Sequence, residues 1–210
     1  MSESAELKPQ RRYRGESRSE RQAARRAKLV EAGFRIFGTT GYRAATVRQV
    51  CAEAGLTERY FYESFARKDD LFVAVYELVM VRIGGAMQEA IAAADDTAEA
   101  KARALLGAYF GTIERDPGLG RILLIDVLSA GRDKDRIYRD AMAAFTALVR
   151  NEARVLLPRG ATSAVREEVV AAGIVGAIVH VAMRWVISNF DRPRNEVIEG
   201  LLSLLLAASR

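Results

Sequence analysis

The sequence contains little cysteine and histidine, and each shortage excludes a class of protein. The single cysteine, Cys51, cannot form a disulfide within the chain, so a disulfide-stabilised scaffold is excluded. The single histidine, His180, rules out an HExxH zinc site, and no GxxxxGK or GxSxG motif is present. Because these common catalytic constellations lack their parts, we predict that the chain is not an enzyme and uses no metal or cofactor.

The sequence also lacks stretches that alternate between apolar and polar residues, which argues against a β-sheet. Ala, Leu, Arg and Glu dominate, and only four of the 210 residues are proline. The opening residues, MSESAELKPQ, contain no apolar run of the kind that a secretory signal needs. We therefore expect a helical, cytoplasmic protein.

Positive charge is concentrated towards the N-terminal end. Residues 1–75 contain 15 Lys and Arg against 10 Asp and Glu, whereas residues 76–210 contain 17 of each. Residues 1–18 have too few apolar groups to fold by burial, and they are predicted to form a disordered basic arm. This asymmetry predicts an anionic partner, either nucleic acid or a membrane surface. The arm lacks the large apolar face of a membrane-surface helix, so the membrane alternative is the weaker one.

Two short helices separated by a glycine are predicted after the first long helix. Thr46 can cap the first of the pair, and Gly55 can end it in the left-handed conformation. Thr57 can cap the second, whose apolar side is formed by Phe61 and Phe65, four residues apart. Neither helix is long enough to be stable alone. The spacing therefore predicts a helix-turn-helix that is held by its neighbours.

The second short helix is predicted to divide its aromatic residues between two faces. With Phe61 and Phe65 directed to the core, the helical period turns Arg59, Tyr60 and Tyr62 outward. In the DNA major groove, Arg can pair with guanine and Tyr can contact thymine methyls or a phosphate. Alternatively, the two tyrosines pack across a domain boundary with their hydroxyls in water. The basic arm and the paired short helices favour DNA binding.

The segment from Lys28 to Leu71, KLVEAGFRIFGTTGYRAATVRQVCAEAGLTERYFYESFARKDDL, resembles the DNA-binding domain of the tetracycline-repressor (TetR) family of bacterial regulators. The resemblance implies an all-helical homodimer that binds a near-palindromic operator. It also implies release of the operator when a small molecule enters the C-terminal domain. The matching residues are Phe37, Gly41-Tyr42, Thr46-Val47, Ala54-Gly55-Leu56-Thr57, Tyr62, Phe65 and Lys68.

The resemblance further implies roles for individual residues in DNA binding. Glu58 can accept a hydrogen bond from a cytosine amino group or only stabilise the helix N-terminus. Ser64 stands where the family often has histidine, so a backbone contact there is shorter or absent. By the resemblance, the DNA-backbone positions are predicted to be Thr46, Tyr62 and Lys68, and the base-facing positions Arg48, Glu58, Arg59 and Tyr60. Independently of the resemblance, the helix N-termini at Thr46 and Thr57 can add backbone N–H contacts to phosphates.

A second copy of the chain is predicted to bind through the C-terminal helices. Segment 169–187, VVAAGIVGAIVHVAMRWVI, is apolar almost all round, which predicts either a helix buried on both sides or a membrane span. A histidine and an arginine interrupt it, so the span is the weaker alternative. We predict a homodimer through helices at about 163–190 and 194–208, with Gly173 and Gly176 allowing close approach.

A partly apolar effector pocket is predicted among the helices between residues 98 and 187. Asp126 lies in the otherwise apolar run RILLIDVL, so it either bonds a ligand, pairs with an arginine or faces solvent. His180 can contact a ligand or be a satisfied core group. Core packing explains the aromatic candidates equally well. The predicted ligand-binding residues are Tyr109, Phe110, Asp126, Met142, Phe145, His180 and Trp185.

These patterns together predict an all-α fold of about nine helices. Residues 1–18 are the basic arm, residues 19–68 a three-helix helix-turn-helix domain that binds DNA, and residues 69–210 a larger helical domain for ligand binding and dimerisation. The predicted partners are a double-stranded DNA operator, a small-molecule effector and a second copy of the chain, with no membrane. The predicted function is a bacterial transcriptional repressor that its ligand releases from a palindromic operator.

Overall fold

The computed structural model describes residues 18–129, 134–152 and 164–208. Within these ranges the chain is helical and contains no strand, which confirms the all-α prediction. The predicted arm lies outside the described residues, except for Arg18, which begins the first helix. The helices are α1 (Arg18–Thr40), α2 (Val47–Ala54), α3 (Glu58–Tyr62), α4 (Lys68–Ala92), α5 (Ala98–Arg115), α6 (Pro117–Leu124), α7 (Lys134–Glu152), α8 (Ala164–Ile187) and α9 (Arg194–Ala208).

Local signals set the ends of α2, as predicted, but those of α3 only in part. The Thr46 hydroxyl accepts the Gln49 N–H at 3.2 Å, and the Gln49 side chain accepts the Thr46 N–H at 2.9 Å, which forms a capping box. Gly55 ends α2 with φ 64°. The Thr57 hydroxyl makes no capping bond, contrary to the prediction, because its carbonyl instead receives the Tyr60 N–H at 3.0 Å. That hydroxyl belongs to an exposed residue.

An aromatic core holds the short helices in place. Phe37, Phe61 and Phe72 are fully buried. The Tyr42 ring packs edge-on against Phe37 at 5.7 Å and against Phe72 at 4.7 Å between centroids. Cys51 is also buried. Because α4 supplies Phe72, the helix-turn-helix is built directly on a helix that continues into the C-terminal part.

The sixth helix is short. It ends at Leu124, and a single 3-10 turn, Asp126–Ser129, follows it. Asp116 caps α6 by accepting a backbone N–H at 3.0 Å, and Pro117 occupies the first turn, where its missing N–H costs nothing. The helix stops where the Asp126 side chain turns inward to accept a hydrogen bond from another part of the chain.

The outer face of the eighth helix is open within one subunit. Among the described residues, its segment Glu167–Ile187 is long and apolar enough to cross a membrane, by length and composition only. Only 33% of its most apolar stretch is buried within the subunit, so the predicted burial on both sides needs a partner outside this subunit. Val169 and Ile187 are each 65% exposed, and Leu204 on α9 is 54% exposed. One face of α8 is therefore apolar and open.

Candidate nucleic-acid interface and ligand cavity

The third helix has one buried face and one open face. The Arg59 side chain is 84% exposed and Tyr62 is 59% exposed, whereas Phe61 between them is fully buried. Thr57 and Glu58 at the start of the helix are also exposed. An open guanidinium beside a phenol, on the second helix of a helix-turn-helix, matches the chemistry that reads base edges and phosphates in the major groove.

Tyr60 differs from its neighbours because it packs against α1. The Arg25 guanidinium lies 4.6 Å from the Tyr60 ring centroid, and it also approaches the Glu63 carboxylate at 3.7 Å. Glu63 in turn pairs with Arg59 at 3.3 Å. This arrangement favours a packing role for Tyr60 over the predicted base-facing one. Glu63 orients Arg59 while leaving most of its side chain in solvent.

The first helix contributes residues to this surface that the sequence analysis missed. Arg25 stacks on Tyr60, and the Gln22 amide donates to the Glu63 carbonyl at 3.4 Å. A signal was present in the sequence, since Arg18, Arg21 and Arg25 recur at spacings of three and four residues and therefore share one side of α1. The basic side of α1 thus lies beside α3.

Two residues at the start of α2, Thr46 and Arg48, are predicted to contact DNA, and they differ in whether their side chains already form hydrogen bonds. Arg48 is exposed. The Thr46 hydroxyl donates to the Gln49 side chain at 2.9 Å and accepts from the Gln49 backbone, so it is engaged in capping α2. Of the two side chains, the Arg48 guanidinium is the more available to an outside partner.

The ammonium group of Lys68 is turned into the domain. Its Nζ donates to the carbonyls of Tyr42 and Ala45, each at 2.8 Å. A longer contact of 3.4 Å reaches the carbonyl of Arg43. Burial lowers the pKa of this ammonium. Since these contacts engage its three N–H groups, the geometry favours a structural role, fixing the turn before α2, over the predicted phosphate contact.

Asp126 joins the helix-turn-helix to the rest of the molecule. Its Oδ2 accepts the backbone N–H of Tyr42 at 3.0 Å and lies 3.7 Å from Nε of Arg121. Burial raises the pKa of this carboxyl, although both partners act in the opposite direction. Asp126 is absent from the wall of the cavity described below. The ligand contact predicted for it is therefore replaced by the arginine-pairing alternative.

Glycines let α6 approach the end of α1 closely. A Cβ added at Gly38 would lie 3.0 Å from the Gly118 Cα, so the two backbones nearly touch. Gly41 has φ +85°, and a Cβ there would overlap the Arg121 guanidinium. The contact between α1 and α6 therefore leaves no space for side chains at these positions, and a shift of α6 would act directly on the turn before α2.

A cavity of about 140 Å³ lies among helices α4 to α8. Its wall contains no Asp, Glu, Lys or Arg, and no cluster of metal-binding side chains occurs in the described ranges. Four of the seven predicted ligand residues line it: Tyr109, Met142, Phe145 and His180. The other lining residues were not predicted from the sequence; they are Tyr76, Met80, Leu123, Leu124, Leu128, Tyr138, Gly176, Val179 and Met183.

Two predicted ligand residues, Phe110 and Trp185, belong to the core instead. Phe110 is fully buried, and its ring meets Trp185 edge-on at 5.5 Å between centroids. The Trp185 Nε1–H donates to the Arg192 carbonyl at 2.8 Å, in the connection between α8 and α9. Core packing, the alternative that the sequence left open, describes both residues.

Comparison with known proteins relates the helix-turn-helix to bacterial regulators. Residues 29–75 match the family model described as bacterial regulatory proteins, tetR family. The chain is 27% identical over 184 residues to the HTH-type transcriptional activator FasR of Mycolicibacterium smegmatis, covering 84% of this chain and 78% of the relative.

Solved structures share the fold over most of the chain. The transcriptional regulator FadR from Bacillus subtilis, in complex with stearoyl-CoA, has a TM-score of 0.72 at 15% identity, covering 88% of this chain and 99% of that one. A TetR-like transcriptional regulator from Rhodococcus sp. RHA1 has a TM-score of 0.66 at 18% identity, covering 87% and 94%. At these identities the likeness concerns the fold alone.

Proposed function

Because the chain belongs to the tetR family of bacterial regulatory proteins, we propose that this DNA-binding transcriptional regulator is a homodimeric repressor. A small molecule that enters the C-terminal part releases it from a palindromic operator. One observation carries the proposal: the open face of α3, on which Arg59 and Tyr62 both face solvent while Phe61, between them in sequence, is buried on the opposite face.

The proposed DNA surface is the exposed side of α3 together with the start of α2. Arg59 is the residue best placed to pair with guanine, because Glu63 orients it and most of its side chain is open. Tyr62 and Thr57 are assigned to the DNA backbone, and Arg48 to the edge of the same groove. These roles belong to a DNA-binding domain at residues 19–68, with residues 69–210 as the ligand-binding and dimerisation domain.

The proposed dimer forms through the outer faces of α8 and α9. These faces expose Val169, Ile187 and Leu204, which a second copy would remove from water. A Cβ added at Gly173 or Gly200 would meet nothing within 4 Å inside the subunit, so these positions leave room for a close neighbour. A two-fold axis here would present two α3 helices to major grooves about 34–36 Å apart.

The proposed route of release runs through α6. Leu123 and Leu124 of this helix line the cavity, while Arg121 and the following Asp126 contact the turn at Gly41 and Tyr42. A molecule that fills the cavity and displaces the leucines would therefore shift the same element that holds the turn before α2. An effector that binds the shifted form more tightly would then lower operator affinity.

The test of this function begins with selection of binding sites from random duplexes by the purified full chain. We expect a palindrome whose half-sites are about one helical turn apart, and binding that weakens steeply as salt rises. Failure to enrich any sequence would contradict the function. The direction of regulation is then measured on genes next to recovered sites: repression predicts higher transcript levels when the gene is deleted, whereas activation, named for the relative FasR, predicts lower ones.

A further inference from the structure

We propose that the effector is a compact, uncharged molecule, apolar except for one hydrogen-bond acceptor, and that the Tyr76 hydroxyl donates to this acceptor inside the cavity. The inference rests on the proposed function, because it names the class of ligand for the release step. Three features of the cavity carry it: an unpaired hydroxyl, a wall without charge and a small volume.

The unpaired hydroxyl belongs to Tyr76 of α4. This residue is 2% exposed and lines the cavity, and its hydroxyl has no hydrogen-bond partner among the described residues. A buried hydroxyl normally has a partner, because leaving it unpaired costs free energy. The exception falls in the wall of a cavity, where a ligand atom can supply the missing acceptor.

The protonation state of Tyr76 keeps a hydrogen-bond donor available to the ligand. Burial raises the pKa of Tyr76, and the neighbouring Tyr138 adds to the effect. Burial likewise raises the pKa of Tyr109 across the same cavity. Both phenols therefore remain neutral at physiological pH and can donate, so a carbonyl, ether or hydroxyl oxygen on the ligand is a suitable partner.

The absence of charge from the cavity wall excludes charged groups from the buried part of the ligand. No Asp, Glu, Lys or Arg is among the lining residues, and His180 is an exposed residue. A carboxylate or ammonium group placed there would lose its hydration without gaining a counter-ion. The remaining wall is apolar and includes the adaptable thioethers of Met80, Met142 and Met183.

The volume limits the ligand to about the size of one substituted ring. The cavity measures about 140 Å³, and an apolar cavity of about 150 Å³ in another protein holds benzene. A long acyl chain would exceed this volume and would extend beyond the cavity, for example into the groove of about 300 Å³ between α4 and α7, which shares Tyr76 and Met80 with it.

The test uses four probes and isothermal titration calorimetry with the full chain. Acetophenone has a ring and one carbonyl acceptor, ethylbenzene lacks the acceptor, benzoate is charged, and stearoyl-CoA supplies a long acyl chain. We expect acetophenone to bind most tightly of the four. Ethylbenzene should bind roughly 5- to 10-fold more weakly, which corresponds to one neutral hydrogen bond, and benzoate more weakly still.

The decisive variant is Tyr76→Phe, which removes only a hydroxyl that makes no bond within the described parts of the subunit. It should fold with an unchanged or higher Tm, bind ethylbenzene as before and bind acetophenone roughly 5- to 10-fold more weakly than the unaltered chain. The matched control is Tyr60→Phe, because Tyr60 packs between α1 and α3, away from the cavity. This control should leave the affinity for both probes unchanged.

Several results would overturn the proposal. They are undiminished acetophenone binding by Tyr76→Phe, tighter binding of benzoate or stearoyl-CoA than of acetophenone, and no binding of acetophenone at all. Operator binding is measured on the same preparations. Sequence-specific DNA binding without acetophenone binding would remove the ligand class and leave the regulator function, whereas the opposite pattern would remove the function.

Discussion

Tyr62 in α3 and two tyrosines of the cavity, Tyr76 and Tyr109, are placed in opposite ways. In α3 the ring of Phe61 is buried and Tyr62 stands 59% exposed beside it, whereas at the cavity the Tyr76 and Tyr109 side chains are almost wholly buried. An exposed phenol can meet a large partner such as a duplex without rearrangement. A buried phenol can meet only a molecule small enough to enter. The position of the phenols therefore separates a surface for a macromolecule from a site for a small one.

The largest expected effect separates the two faces of α3. Replacing Phe61, which is fully buried, by Ala should lower the free energy of unfolding by about 3–5 kcal/mol, because it leaves a cavity in the aromatic core. The matched change Tyr62→Ala removes only an edge contact with the Phe61 ring at 5.3 Å, so it should cost about 1 kcal/mol or less yet weaken operator binding. Urea unfolding and DNA titration of both variants check this. Equal loss of stability in the two would mean that α3 has no open face.

The next effect concerns the contact that couples the two ends. Asp126→Ala leaves the Tyr42 N–H without its acceptor, which should cost about 1–3 kcal/mol of stability. The variant should also weaken the response of DNA binding to the effector, since α6 then loses its bond to the turn. Urea unfolding measures the first effect, and operator titration with and without acetophenone the second. An unaltered response would show that coupling takes another route.

The pH dependence of this contact has a definite sign. Burial raises the pKa of Asp126 above its ordinary value of 3.8, so the folded chain binds this proton more tightly than the unfolded chain does. The contribution to stability is complete below 3.8, the pKa expected in the unfolded chain, and is lost as pH rises through the raised value. The stability of the unaltered chain relative to Asp126→Asn should therefore fall as pH rises through that interval. A difference that stays constant with pH would contradict the assigned shift.

The smallest expected effect tests whether the Lys68 ammonium has a structural role or contacts DNA. Lys68→Ala should lower stability by about 1 kcal/mol, because two carbonyls lose a donor at 2.8 Å. If Lys68 is structural, the slope of log affinity against log salt should stay the same. A phosphate contact would instead reduce that slope by about one. Arg139→Ala, at an exposed position of α7, is the control for removing one surface charge.

The features that could be predicted from the sequence are those set by residues close to one another in the chain. The cap at Thr46, the stop at Gly55 and the division of α3 between Phe61 and Tyr62 each depend on residues within a few positions of one another. Helical periodicity and capping chemistry are enough to place them. The predicted side-chain cap at Thr57 was wrong, because the Tyr60 N–H donates to the Thr57 carbonyl instead of the Thr57 hydroxyl.

The features that could not be predicted from the sequence are those set by residues far apart in the chain. The roles of Asp126 and Lys68 are both set by the turn around Tyr42, which lies 84 and 26 residues away respectively. The cavity draws its wall from five helices, so Tyr76 lines it while Phe110, beside Tyr109 in sequence, does not. Likewise, the apolar period of α8 indicated burial without indicating that the outer face stays open in a single chain. Helical periodicity identifies the apolar face of a helix, but it does not identify the element or subunit that covers that face.

The open face of α3 is tested most directly by the base preference of an Arg59→Ala variant. The recovered operator and a version with one symmetric G·C pair replaced in each half-site are titrated against both proteins at one salt concentration. If Arg59 reads guanine, the unaltered chain should prefer the operator by about 1–3 kcal/mol at one such position, and the variant should lose that preference. Retention of the full preference at every position by Arg59→Ala would contradict the account.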